Sequence, residues 1–238
     1  MTAGNKRGMF GFIAAELLLY LIFMAGDIFG YPGLDTVTLV KYCSILLCNV
    51  FALTYALKYR RRENYILFSG LFFTAVSDYF LLFTENFTFG MLTFCVVQIL
   101  YLVYLCFLGE GRRGVAGRLL VNIFLWAAVL LILWALQVPV DLLLITAAFY
   151  FISILHNVIT AAGNARHKSD KRNLIFAIGM FLFLLCDINV GIYNMNGFIA
   201  VGSTAFQKVY HFSEIAMWMF YLPAQVCISL SGIFSKNE

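Results

Sequence analysis

Eight apolar segments constrain this chain more than any other feature, because each is about long enough to cross a lipid bilayer as a helix. A helix needs about 20 residues to span the hydrocarbon core. The chain is 63% hydrophobic and 12% charged, far more apolar than an ordinary soluble domain. The sequence therefore predicts an all-α integral membrane protein, with one polytopic domain of about eight helices over residues 1–238. The predicted spans are 9–29, 39–58, 65–84, 87–108, 117–136, 139–162, 173–193 and 210–231.

The basic residues predict how the helices are oriented. Fourteen of the 16 Lys and Arg residues fall before the first segment, in the loops after the second, fourth and sixth segments, or after the eighth. Only Lys41 and Lys208 fall on the opposite side. Because Lys and Arg concentrate in cytoplasmic loops, this alternation predicts that both termini are cytoplasmic. The same clustering in short loops argues against a nucleic-acid partner.

The third and seventh segments share a pattern that ends in an aspartate. One reads GLFFTAVSD from Gly70 to Asp78, and the other reads GMFLFLLCD from Gly179 to Asp187. Eight residues are a little over two helical turns, so each glycine shares a face with its aspartate. A glycine on that face lets a neighbouring helix approach closely. Both helices run outwards, so we expect both aspartates at similar depth in the outer half, with a possible 4+4 internal repeat.

Asp78 and Asp187 are candidate functional residues, because a carboxylate at mid-membrane costs at least ~2.5 kcal/mol and normally faces a bundle interior or a water-filled cavity. The alternative is that each aspartate only pins a neighbouring helix. If the two carboxylates approach each other, one neutral acid would sit beside one carboxylate. That arrangement suits general acid–base catalysis and equally suits proton-coupled transport, and the residues alone leave both open.

Six further polar side chains lie at a depth compatible with a site at the aspartates: Lys41, Gln98, Tyr101, Asn189, Tyr221 and Gln225. Lys41 could instead snorkel to the membrane surface, and the two glutamines could simply join helices by hydrogen bonds. Motifs of serine hydrolases, zinc proteases and P-loop proteins do not occur, and the three histidines show no metal-ligand spacing. We therefore expect no metal and no cofactor.

The order of these motifs resembles the YhhN family of integral membrane lysoplasmalogenases. The third and fourth segments read SGLFFTAVSDYFLLFTENFTFGMLTFCVVQILYLVYL, and the eighth contains MFYLPAQVCISLS. By this resemblance Asp78 and Asp187 match the two intramembrane aspartates of the family. Gln98 stands where the family usually has a histidine. Other positions that match family motifs are Lys41, Phe87, Gly90, Tyr101, Tyr221, Ala224 and Gln225.

The resemblance implies a lipid hydrolase that cleaves the vinyl-ether bond of a lysoplasmalogen to a fatty aldehyde and a glycerophospho-base. One aspartate would donate a proton, the other would stabilise the cation and activate water, and Lys41 would bind the substrate phosphate. Its partners would be a lysophospholipid and bilayer lipids, in the cytoplasmic membrane of a bacterium. A small proton-linked transporter and a non-enzymatic lipid-binding protein remain alternatives.

Overall fold

The computed structural model describes residues 3–30, 33–84, 86–109, 113–168, 170–195 and 204–234. The described residues are helical almost throughout, and all eight helices are long and apolar enough to cross a membrane. This confirms the predicted all-α fold with eight spanning helices. The helices are α1 Ala3–Phe29, α2 Leu34–Tyr59, α3 Arg62–Phe83, α4 Phe87–Leu108, α5 Arg113–Ala135, α6 Leu142–Lys168, α7 Lys171–Met195 and α8 Thr204–Ser231, followed by the 3₁₀ turn Gly232–Phe234.

The bounds of α6 differ from the prediction of 139–162 for local reasons. The helix begins at Leu142 because the Asp141 carboxylate accepts a hydrogen bond from the backbone N–H of Leu144 at 2.7 Å and caps the helix. It ends six residues later than predicted, at Lys168, because the polar stretch continues as helix. That last turn is basic, which suits the negative end of the helix dipole.

Six of the helices form a closed ring. Around the ring α2 packs on α3, α3 on α4, α4 on α6, α6 on α7, α7 on α8, and α8 on α2. Helix α1 lies outside this ring against α2 and α8, and α5 lies outside it against α6 and α4. Since α1 and α5 are the least buried spans, the polar interior belongs to the six ring helices.

The neighbours of the first four helices match those of the last four. Helix α1 contacts α2 and α8 just as α5 contacts α6 and α4, and the pair α2–α8 matches the pair α6–α4. Both glycines of the repeated pattern lie at close approaches. A Cβ on Gly70 would lie 2.4 Å from the Tyr101 ring, and one on Gly179 would lie 3.0 Å from the Ala224 carbonyl oxygen. These matches support the 4+4 organisation.

A proline in α8 anchors the helix next to the site. Pro223 lies inside α8 and has no N–H, so the carbonyl of Met219 loses its donor within the helix. The Tyr20 hydroxyl of α1 donates to this carbonyl at 3.3 Å. The bond ties α1 to α8 two residues before Tyr221.

Candidate active site

Asp78 is held by a tyrosine from the far end of the chain. It lies on α3 and is 4% exposed. The Tyr221 hydroxyl of α8 lies 2.8 Å from Asp78 Oδ1 and 2.7 Å from Oδ2, so it donates a proton shared between the two oxygens. Among the described residues, the Tyr221 hydroxyl is the hydrogen-bond donor that supports charge on the buried Asp78 carboxyl.

Asp187 has the same kind of partner but a more open setting. The Tyr150 hydroxyl of α6 donates to Asp187 Oδ2 at 2.7 Å, and Asp187 on α7 is only partly buried. Its neighbour Ile188 is 41% exposed on the outer face of the bundle. One Asp187 oxygen is therefore engaged by tyrosine, and the residue is less deeply buried than Asp78.

The two aspartate–tyrosine pairs are connected through residues of α4. The Ser77 hydroxyl, next to Asp78, donates to the Thr93 hydroxyl at 2.7 Å. Phe94, the residue after Thr93, packs on the Tyr150 ring that binds Asp187, with ring centroids 5.6 Å apart. The two aspartate–tyrosine pairs are therefore linked through neighbouring residues of α4.

Aromatic rings separate the two pairs. The Phe183 ring packs against Tyr221 with centroids 5.5 Å apart and against Phe94 at 6.0 Å, and Phe94 leads to Tyr150. Within the described residues, each carboxyl bonds to its own tyrosine and none bonds to the other carboxyl. The sequence predicted one neutral acid beside one carboxylate only if the two carboxyl groups were in contact, and that condition is not met. Phe94 and Phe183 nevertheless connect the two pairs through direct ring contacts.

The predicted binding residues Gln98 and Tyr101 lie in the core of the bundle on α4. Asn157 of α6 donates its amide to the Gln98 side-chain oxygen and to its backbone carbonyl, both at 2.9 Å. Gln98 thus joins α4 to α6 by hydrogen bonds, as it would if it had only a structural role. Its Nε2 has no hydrogen-bond partner in the described structure. The Tyr101 ring packs edge-on against Phe176, and its hydroxyl is likewise unpaired there.

Gln225 and Asn189 are placed differently from each other. Gln225 is fully buried on α8, one turn beyond Tyr221, and neither of its side-chain amide atoms has a hydrogen-bond partner among the described residues. Asn189 instead donates to the Leu185 carbonyl of its own helix at 2.8 Å. Gln225 therefore has free hydrogen-bonding capacity near Tyr221, whereas the Asn189 amide is already engaged.

Lys41 is paired with a carboxylate. Its Nζ lies 2.8 Å from Asp27 Oδ1 of α1 and 4.6 Å from the ring centroid of Trp218 on α8. Both members of the ion pair are nearly buried, with side chains 10% and 13% exposed. Lys41 therefore does not snorkel to the surface, and its ammonium already has a counterion inside the bundle.

Sequence reasoning missed Tyr150 and Trp218. Neither belongs to a motif, and each is an aromatic residue among many in apolar helices. Tyr150 shares a helix face with Asn157, two turns away. This spacing of two polar groups could have indicated that Tyr150 faces the bundle interior. Glu16 had no partner that the sequence could name; in the structure it is buried and accepts a hydrogen bond from the Cys48 thiol at 3.3 Å.

Together, the fold and the site define a multi-pass α-helical membrane protein with two aspartate–tyrosine pairs inside the bundle. The comparisons with known proteins then give the family. The YhhN family profile matches residues 36–232, which include nearly all of α2, the whole of α3 to α8 and both aspartates. The chain therefore belongs to the YhhN family. No curated protein and no solved structure matches it.

Proposed function

We propose that this protein is a membrane lipid hydrolase that cleaves the vinyl-ether bond of lysoplasmalogens. The observation that supports this best is the presence of two carboxyl groups inside the helical bundle, each bound to a tyrosine hydroxyl that packs against aromatic rings. Vinyl-ether hydrolysis requires an acid that protonates carbon and a negative group that stabilises the resulting cation. Two carboxyl groups in different settings supply both.

The chemistry proceeds in three steps. A carboxylic acid donates its proton to the outer carbon of the vinyl ether, and the C=C electrons form the new C–H bond, leaving an oxocarbenium ion on the inner carbon. Water then adds to that carbon and gives a proton back to the carboxylate. The hemiacetal separates into a fatty aldehyde and the free hydroxyl of a glycerophospho-base.

The different settings of the two aspartates support different roles. Asp187 is less deeply buried than Asp78 and has one oxygen bound by Tyr150, so we assign it as the proton donor. Asp78 is buried, with both oxygens sharing the Tyr221 proton, so we assign it as the carboxylate that stabilises the cation. An acceptor fixed in advance by its hydrogen bonds loses little energy to reorganisation when the cation forms.

The remaining site residues would contact substrate or water. The unpaired amide nitrogen of Gln98, both amide atoms of Gln225 and the Tyr101 hydroxyl have hydrogen-bonding capacity that a polar ligand would satisfy. Asn189 is proposed as a substrate contact only because it lies close to Asp187 along α7. We place the protein in a bacterial cytoplasmic membrane, with both termini in the cytoplasm and a lysophospholipid as substrate.

A proton-linked carrier is the second candidate. The matching packing of the two helical halves favours it, since parallel repeats occur in transporters. A carrier would move a solute across proteoliposomes in a manner that depends on a proton gradient, without releasing aldehyde. A lipid-binding protein without activity would do neither.

The test is aldehyde release from lysoplasmalogen by the purified protein in detergent. Asp78→Asn and Asp187→Asn should each abolish turnover while the variants remain monodisperse. The matched control is Asp35→Asn, because Asp35 is an exposed aspartate in the first turn of α2. Absence of turnover by the unmodified protein on lysoplasmalogen, or full activity of both asparagine variants, would refute the proposal.

A further inference from the structure

A set of contacts leads from the outer end of the bundle towards Asp78 through residues that the proposed chemistry leaves unused. Asp27 of α1 and Lys41 of α2 form an ion pair at 2.8 Å. The Lys41 ammonium also lies 4.6 Å from the centroid of the Trp218 indole, within the range of a cation–π interaction. The ammonium is therefore held between a carboxylate and an indole ring.

Trp218 continues this set of contacts to the aspartate. Its indole packs edge-on against the Tyr221 ring, with centroids 5.3 Å apart and planes at 89°. The two residues are three positions apart on α8 and so share a face. Phe183 packs against the Tyr221 ring as well, at 5.5 Å. A ring held by two edge contacts has little room to swing, so its hydroxyl stays on both oxygens of Asp78.

We propose that Asp27, Lys41 and Trp218 form a positioning chain that holds the Tyr221 hydroxyl on Asp78. The proposal rests on the proposed function, in which Asp78 stabilises the cation. It gives Lys41 a different role from binding the substrate phosphate, since the ammonium already has a counterion and acts through Tyr221. Asp27 and Trp218, which match no motif, become positioning residues for the reaction.

A double-mutant cycle between Lys41 and Tyr221 tests this role. Lys41→Met should lower kcat about tenfold, equivalent to ~1.4 kcal/mol, and should change KM less than about twofold. In a Tyr221→Phe background the same substitution should cause no further loss, because the hydroxyl that the chain positions is gone. Lys41→Arg, which keeps the charge, should restore most of the rate. A phosphate-binding lysine would instead raise KM and keep its full effect in the Tyr221→Phe background, which would overturn the proposal.

A second measurement does not depend on turnover. The chain has three tryptophans, so Trp126→Phe with Trp134→Phe leaves Trp218 as the sole reporter. In this background Asp27→Asn and Lys41→Met should each change the Trp218 emission and raise its quenching by acrylamide at least twofold. The control Lys208→Met alters an exposed lysine of α8 and should leave both unchanged. If the emission and quenching of Trp218 are the same in all four proteins, the chain of contacts does not exist. If they change as expected in a protein that hydrolyses no vinyl ether, the contacts stand and the proposed function fails.

Discussion

Replacing Gly179 with alanine tests the close approach of α7 and α8, the two helices that carry Asp187 and Tyr221. The new Cβ would lie 2.8 Å from Ile228 Cγ1 and 3.0 Å from the Ala224 carbonyl oxygen. Carbon atoms pack best at about 3.5–4.0 Å, so the helices must separate by roughly 0.7 Å or more. Such overpacking costs about 1–3 kcal/mol. Alanine also stabilises a helix interior by about 0.5–1 kcal/mol relative to glycine, which offsets part of this cost.

Gly191 provides the matched control on the same helix. A Cβ there meets no atom of the described structure within 4 Å, so Gly191→Ala should have only the helix-favouring effect. The two variants should therefore differ by about 1–3 kcal/mol, or roughly 2–4 °C in Tm for each kcal/mol. The assay is thermal denaturation of the detergent-solubilised protein, followed by the loss of the monodisperse peak in size-exclusion chromatography. If Gly179→Ala is as stable as Gly191→Ala, the helices do not approach as closely as described.

Three further predictions concern individual hydrogen bonds. Tyr150→Phe removes the donor to Asp187. Tyr150 would stabilise the carboxylate that Asp187 becomes as it gives up its proton. Hydrogen bonds to charged groups contribute about 1.5–3 kcal/mol, so we expect kcat to fall about tenfold to a hundredfold, and an unchanged kcat would contradict the assigned role. Asn157→Leu leaves the buried Gln98 side-chain oxygen without its donor and should cost about 1–3 kcal/mol in thermal denaturation, whereas an equal Tm would show that the bond is replaced. Asp141→Ala removes the cap of α6 and should cost about 0.5–2 kcal/mol by the same assay, while Asp141→Asn should retain most of the stability; equal losses in both variants would argue against capping.

The sequence by itself determined the eight helices, because the bilayer imposes a length and an apolar composition that can be read without knowing any partner. It also determined where Asp78 and Asp187 lie along their helices, since rise per residue converts position into depth. The sequence did not predict the helix end at Leu142, where the Asp141 side chain caps the start of α6.

The tertiary structure decided which groups meet. Tyr221 binds an aspartate 143 residues away, and Tyr150 binds one 37 residues away. Such pairings depend on how each helix is rotated about its axis and which helices are neighbours in the ring. Each span carries only a few polar residues among many apolar ones, so the sequence pattern does not reveal which residue of another helix an aspartate will meet. Close packing at points such as Gly179 sets those rotations, and it thereby decides that each aspartate meets a tyrosine and not the other aspartate.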